Sequence, residues 1–472
     1  MLGKRQGGLG HTCTVIGVAM VDVARKSSGP RGWGRLVLVL YTVVGVVLSP
    51  AWWAFLQIRS RTRLGGWARL GGGLSRGDGP RRLGARGRRV CFHAASAGDV
   101  VAVAPVLARM AALCPQASFS LTVQTRSGQA MAGRLLSPQV EVGALPLDVW
   151  PWMDLYVARR APDLLVLEYL ELWPRLLWSV RQRGGQVALL NARVHPRRMA
   201  TYLSRWGALW RGCCAELSWC FPRSAGDAER LRLLGASCAE AGVHTKYALL
   251  EVPEAAQVAA VAARHGLSPG LRSTTWIAAA VHVDEVACVL AAHAWVGARR
   301  SGLRLLLCPR YPEKGALMAQ QAARLGLRLR RRYCDDAASG PGPGAPGAPG
   351  AGPGEGAAEV VLIESVGELR YLYGLASVAL IGGTLGRRGG QNPVEGAIAG
   401  CTLLVGPHCD QIAEELACLG EAVHEVTPAQ LGPALLEGLE HPRNAQDAAL
   451  CLQARAQRRV EDIAHALAAA LG

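Results

Sequence analysis

The chain is 472 residues long and half of it is hydrophobic, enough for two or three domains with sizeable cores. It carries 52 Lys and Arg against 35 Asp and Glu, a net charge of +17 that favours a polyanionic partner: nucleic acid, anionic phospholipid or a phosphorylated substrate. With 4 Phe, 9 Tyr and no aromatic–basic RNA-binding signature, nucleic acid is the weakest of the three, and 14 cysteines without a CxxC pair argue against zinc and read as reduced, packed thiols of a cytosolic compartment.

Residues 1–30 are rich in Gly and basic residues without periodicity. They are expected to be a disordered or mis-assigned extension, with Met20 as an alternative start. Residues 36–58 then run without a charge, which matches the roughly 20 residues needed to cross a bilayer core. Trp52 and Trp53 lie late in the run, and Arg59, Arg61 and Arg63 follow directly. The expectation is a membrane-anchor helix, with the basic excess downstream placing the globular part in the cytoplasm. The run is long for a cleaved signal, while Pro50 leaves open a helix lying in the membrane plane.

From Arg89 onward short apolar runs alternate with helical stretches. VCFHAAS, SFSLTVQT, VEVGALPL, DLLVLEYL and QVALLNAR read as strands, and VVAVAPVLARMAAL as a helix. A junction near residues 248–272 carries Pro253, Pro269 and Gly270. The pattern then restarts with TWIAAAVH, LRLLLCPR, EVVLIES, SVALIGG and CTLLVG. This predicts two doubly wound, Rossmann-like α/β domains over 64–250 and 251–445, with a cleft between them and a C-terminal helix over 446–472. Residues 337–358 are a Pro/Gly/Ala low-complexity loop insert.

The candidate chemistry sits at strand carboxyl ends. In IGGTLGRRGGQNPVEG, residues 381–396, the glycines Gly382, Gly383, Gly389 and Gly390 flank Thr384 and lead into a helix expected near Asn392 or Pro393. Such a turn lets backbone N–H groups approach a phosphate, with Glu395 one turn into the helix for ribose hydroxyls; an ordinary Gly-rich turn is the bland alternative. In FHAASAGDV, Ser96, Gly98 and Asp99 follow the first strand, where Asp99 is either a helix N-cap or a general base, and His93 reads as a packed histidine. Glu168 and Glu171 end another strand, as helix-start stabilisers or substrate contacts. Arg310 ends a third, where it would neutralise a phosphate, and Gly367 with Glu368 forms a turn before a helix.

Taken in order, these segments resemble the family of transferases that attach Kdo, 3-deoxy-D-manno-octulosonic acid, from CMP-Kdo to lipid A, over residues 36 to 425. His93, Ala94, Ser96, Gly98 and Asp99 are similar to its HAxSxGE motif. Pro146, Leu147 and Asp148 match PLD; Glu171 to Pro174 match ELWP; Asn191, Ala192 and Arg193 match NAR. Pro309 to Lys314 resemble PRHPER, Gly367 to Leu369 match GEL, and Gly382 to Glu395 resemble GGSxxxxGGHNPxE.

The resemblance implies a GT-B fold with an acceptor-binding N-terminal domain, a CMP-binding C-terminal domain and inversion at the anomeric carbon. It implies Asp99 as base, with Lys246, Glu168 and Glu171 assisting. CMP contacts would fall on Pro309, Arg310, Gly367, Glu368, Leu369, Asn392, Pro393, Val394 and Glu395. Ser96, Gly98, Arg193 and the residues Gly382, Gly383, Thr384, Gly389 and Gly390 would line the cleft. It implies a lipid A precursor as partner; the basic surplus adds an anionic inner-membrane surface, and with no dedicated metal site in the sequence no cofactor or essential metal is expected. Two positions depart from the pattern: Asp99 replaces Glu, and Tyr169 stands where ungapped alignment expects the first glutamate, with Glu168 one position early. Two other readings remain open: a CMP-sugar transferase with another acceptor, and an inactive nucleotide-binding membrane scaffold.

Overall fold

The computed structural model describes residues 41–42, 44–45, 48, 87–204, 207–237, 240–332 and 359–472. They fall into two compact units, one of Met1–Leu249 with Arg455–Gly472 and one of Leu250–Ala454. The expected extension over 1–30 and loop insert over 337–358 lie outside the described residues. So does most of the expected anchor over 36–58. Only Tyr41, Thr42, Val44, Gly45 and Leu48 of it are described, all helical, and among the described residues no helix is long and apolar enough to cross a membrane.

The front unit runs β1 (Arg89–His93), α1 (Ala97–Leu113), β2 (Ser118–Val123), α2 (Arg126–Leu135), β3 (Glu141–Ala144), α3 (Trp152–Arg160), β4 (Leu164–Glu168), α4 (Pro174–Gln182), β5 (Gln186–Ala192), α5 (Met199–Leu203), α6 (Ala208–Ala215), β6 (Trp219–Pro222) and α7 (Ala225–Leu233). Its six strands are parallel in the order β3-β2-β1-β4-β5-β6. β4 shows why. All five of its residues are buried. Leu164 and Val166 belong to one core with Val100, Val103 and Leu107 of α1, whereas Leu165 and Leu167 belong to another with Met153 of α3 and Leu176 and Leu177 of α4. Burying a Leu or Val is worth roughly 1.5–3 kcal/mol, so an unbroken apolar run is most stable as a strand covered on both faces.

The rear unit begins with α8 (Ala255–Arg264). It continues with β7 (Thr275–Val281), α9 (Val286–Gly297), β8 (Arg304–Pro309), α10 (Gly315–Arg324), β9 (Leu329–Arg332), β10 (Glu359–Ile363), α11 (Leu369–Leu372), β11 (Val378–Ile381), α12 (Val394–Ile398), β12 (Thr402–Val405), α13 (Ala413–Leu419), β13 (Val423–Glu425) and α14 (Leu431–Glu440). Its seven parallel strands lie in the order β13-β12-β11-β7-β8-β10-β9. On one face Trp276, Ala278, Leu305, Leu307, Val378 and Leu380 pack with Val289 and Leu290 of α9. A last helix, α15 (Gln446–Ala469), carries Val460, Ile463, Ala464 and Leu467 at helical spacing, and these pack in the front unit's core.

All ten expected strands are present. The three additional ones, β6, β9 and β13, are edge strands of three or four residues. An edge strand is covered less completely, so it needs no long apolar run, and β9 reads LRRR.

Candidate active site

In the front unit the chain leaves β1 toward β2 and β3, then returns to the other flank of β1 as β4. Such a reversal opens a crevice beyond the carboxyl ends of β1 and β4. Asp99 lies there by virtue of a helix start. Ser96, in extended backbone at φ −128° and ψ 175°, is the N-cap of α1, and Asp99 is its third residue. Asp99 Oδ2 accepts the Ser96 N–H (2.9 Å) and the Ser96 hydroxyl (2.8 Å), a capping box. This removes the alternative in which Asp99 is itself the N-cap. Its Oδ1 takes no part in the box, and the neighbouring Gly98 is exposed.

Glu168 is the last residue of β4 and only 1% exposed. Asn191 Nδ2 lies 3.1 and 3.0 Å from its two oxygens. Asn191 is fixed in turn by Thr245, whose N–H donates to Asn191 Oδ1 (3.0 Å) and whose hydroxyl donates to the Ala102 carbonyl of α1 (2.6 Å). Burial pushes the Glu168 carboxyl well above the usual range. The Asn191 bond opposes this, the Asp99 charge adds to it, and Arg223 and Lys246 oppose it. The His244 imidazole is pushed well down, by burial first and then by Lys246, Arg223 and Arg193. Asp99, Glu168, Arg193, Arg223, His244 and Lys246 therefore form one electrostatic neighbourhood. Tyr169, by contrast, sits at φ +61° and is 42% exposed. The carboxyl near Asp99 belongs to Glu168.

Glu171 accepts from the Trp173 indole (3.0 Å) and lies 3.8 Å from His93 Nε2. The Thr122 hydroxyl donates to the Phe92 carbonyl (3.2 Å), so the contact between Thr122 Oγ1 and His93 Nδ1 (2.8 Å) has His93 as donor, and His93 is fully buried. Asp148 serves α4: it accepts from the N–H groups of Arg175 (2.9 Å) and Leu176 (2.8 Å) and from the Tyr41 hydroxyl (3.0 Å). Burial raises its pKa to about 6.

The rear unit reverses in the same way, between β7 and β11. Its Gly-rich turn is built differently from the expectation. Gly383 N–H donates to Glu285 Oε2 (2.8 Å), so it does not face a ligand phosphate. A Cβ at Gly382 would overlap the Ala280 carbonyl, and one at Gly390 would meet Ile412 Cδ1 at 2.5 Å. Gly389 is packed on Gln411, and Thr384 is buried with its hydroxyl on the Ile381 carbonyl. Close packing of the protein on itself demands these small residues. Gly383, Gly389 and Gly390 also sit at φ +78°, +83° and +88°.

Around this turn, Pro309 ends β8 and Arg310 is exposed, its guanidinium 5.9 Å from the Tyr311 ring centre. Arg388 reaches Asp284 at 3.2 Å. The His282 imidazole is pushed down by burial first and then by Arg388; Glu285 and Asp284 oppose this, and Arg310 adds to it. Arg310, Arg388 and His282 thus gather at one edge. Gly367 lies at φ +88°, directly before the N-cap Glu368 and the first helical residue Leu369. The Glu368 carboxylate bonds His265 Nε2 (2.8 Å) and Arg264 (2.7 Å) within its own unit. α12 starts at Val394 after Pro393, so Glu395 is its second residue and not one turn in. Asn392 accepts the Val394 N–H (3.2 Å) and donates to Glu395 (3.0 Å).

Sequence reasoning did not select Arg223, His244, Thr245, His282, Glu285 or Arg388. Position directly after a strand was the available signal for Arg223 and His282, which follow β6 and β7. Among the described residues no group of three or more His, Cys, Asp and Glu is disposed to hold a metal.

A family model described as "3-Deoxy-D-manno-octulosonic-acid transferase (kdotransferase)" matches residues 67–249. The 3-deoxy-D-manno-octulosonic acid transferase of Bordetella pertussis is 29% identical over 78% of this chain and 83% of its own length. That of Haemophilus influenzae is 25% identical over 76% and 80%. In fold, the UDP-GlcNAc 2-epimerase of Methanocaldococcus jannaschii superposes with a TM-score of 0.54 at 12% identity, over 80% of this chain and 99% of that one. Two parallel-sheet α/β units, consistent with the GT-B type, thus carry a sequence that is similar to 3-deoxy-D-manno-octulosonic acid transferases along most of its length.

Proposed function

We propose that the chain transfers Kdo from CMP-Kdo to a lipid A precursor (lipid IVA), with inversion at the anomeric carbon, in lipopolysaccharide core biosynthesis. The observation that carries the reading is the front-unit cluster, where Asp99 lies within electrostatic reach of a buried Glu168 flanked by Arg223 and Lys246. Paired carboxyls at a sheet reversal suit general-base chemistry, and neighbouring cations suit an anionic lipid. Asp99 takes the proton of the attacking acceptor hydroxyl through the oxygen its capping box leaves over. Glu168 keeps its own proton to higher pH than an exposed glutamate, which spares the site a second adjacent anion. Lys246 offsets developing negative charge. Donor binding belongs to the rear unit, where Arg310 and Arg388 meet the CMP phosphate and stabilise CMP as leaving group. Inversion follows from a single displacement.

No metal is required in this scheme. The surplus of basic residues and the apolar run over 36–58 support work at the cytoplasmic face of a bacterial inner membrane. A carboxyl in the cluster at position 168 supports an active enzyme over an inactive nucleotide-binding scaffold. The test is incubation with freshly made CMP-Kdo and lipid IVA, read by the mass of the lipid product, which also counts the Kdo units added. CMP binding without any lipid product would refute the transferase reading, and transfer to a different glycan alone would refute the acceptor.

A further inference from the structure

The Gly-rich turn after β11 is held by a side chain from another turn. Glu285, 3% exposed just after β7, places Oε2 on the N–H groups of His282 (3.0 Å) and Gly383 (2.8 Å). Its Oε1 lies on those of Leu385 (3.0 Å) and Gly386 (3.1 Å). Four donors fill the roughly four lone-pair positions of a carboxylate. Three of them are the N–H groups that such a turn ordinarily presents to a phosphate. Further along, Gly390 N–H donates to the Gly383 carbonyl (3.2 Å), Gln391 N–H to that of Gly382 (3.1 Å), and Val394 N–H to Asn392 Oδ1 (3.2 Å). The protein's own groups therefore satisfy much of this backbone. The cations at this edge are side chains: Arg388 from the turn itself and Arg310 from the end of β8, both exposed and both acting on His282. Asp284, the residue before Glu285, pairs with Arg388 at 3.2 Å. Two adjacent carboxylates thus set the backbone of the turn and the resting place of its arginine.

We infer that Glu285 is a positioning residue for donor binding: it clamps the turn so that Arg388, beside Arg310, receives the nucleotide phosphate in place of backbone N–H groups. The inference rests on the donor role proposed above for the rear unit. Glu285→Gln keeps the volume but replaces one oxygen with an NH2 group that cannot accept, leaving N–H groups facing a donor. The expected result is a KM for CMP-Kdo raised roughly tenfold or more, the effect of about one charge-assisted hydrogen bond, with kcat and the lipid KM within about threefold. Arg388→Ala, an exposed change that leaves the fold intact, is expected to raise the same KM by a similar factor. The double variant should be little worse than either single one, because both act on one contact. In Glu285→Ala, added sodium formate should lower the donor KM again, with sodium chloride as the inert control. A purely scaffolding Glu285 would instead lower the melting temperature and the active fraction while the donor KM stays put. A wild-type donor KM in either Glu285→Gln or Arg388→Ala overturns the inference. A wild-type protein that neither binds CMP nor transfers Kdo overturns the proposed function instead.

Discussion

Asp99 does two jobs that can be separated by three substitutions. Asp99→Ala deletes the acceptor of both Ser96 bonds, at a cost of about 0.5–2 kcal/mol for a helix cap. It also deletes the proposed base, worth about 10²–10⁴ in rate, or roughly 3–5 kcal/mol of barrier. The first loss cannot imitate the second. Even a protein of only about 5 kcal/mol stability would keep about 3, and stay more than about 99% folded. Asp99→Asn isolates the chemistry, because the amide oxygen can still accept the Ser96 N–H while the proton acceptor is gone. We expect its melting temperature within about 2 °C of wild type and its kcat down at least about a hundredfold. Asp99→Glu restores the commoner Ser-x-x-Glu capping box and carries the carboxylate roughly 1 Å further toward the acceptor, so activity should stay within about tenfold of wild type. The assay is single-turnover transfer from CMP-Kdo to lipid IVA, read by mass, beside a thermal melt of each variant. Retention of more than about a tenth of wild-type kcat by Asp99→Asn would refute the base assignment.

Three further outcomes follow from contacts within one unit. Asn191→Ala strips the Glu168 carboxyl of its amide and the Thr245 N–H of its acceptor, and puts Ala at φ +48°; urea unfolding should show a loss of about 2–4 kcal/mol. Gly382→Ala forces a methyl group onto the Ala280 carbonyl and should cost about 1–3 kcal/mol, whereas Gly133→Ala, with open space around an exposed helical site, should be neutral or slightly stabilising by melting temperature. Asp148 titrates near 6 when folded against 3.8 as a free side chain, so the folded state holds its proton more tightly. Its contribution is fully present below about pH 4 and is lost as pH rises through 6. The stability of wild type relative to Asp148→Asn should therefore fall by about 2–3 kcal/mol between pH 4 and pH 7, and a pH-independent difference in urea midpoints would contradict the raised pKa.

The interior of each sheet was legible because burial on both faces writes itself into composition. LLVLE and TWIAAAV have no polar alternation, and both became central strands. The edge strands β9 and β13 were not, because each meets a strand on one side only and carries Arg or Glu freely. Position beyond a strand end was legible too, and it brought Asp99 and Glu168 forward. Partnership was not. The four N–H donors of Glu285 include three from residues about a hundred positions away, and Asn191 meets Thr245 across 54. No local pattern encodes such pairs. The glycines at 382 to 390 misled for a related reason: a turn needs small residues whether a ligand or its own chain comes close.

Five acidic groups at or beyond strand ends can be ranked by what the fold leaves them to do. A carboxylate offers about four acceptor positions, and a base needs one that is not already spent. Glu285 has four N–H donors and is saturated. Asp148 has two N–H groups and a hydroxyl, and caps a helix. Glu368 is bound by a histidine and an arginine. Glu168 has a single amide across both oxygens and a carboxyl that burial drives toward the protonated form. Asp99 alone of the five has one oxygen fully engaged and the other outside its capping box, at a helix start where the dipole favours the anion. Its assignment as base therefore has support independent of family likeness, and the replacement of Glu by Asp at this position changes the reach of that oxygen without changing its availability.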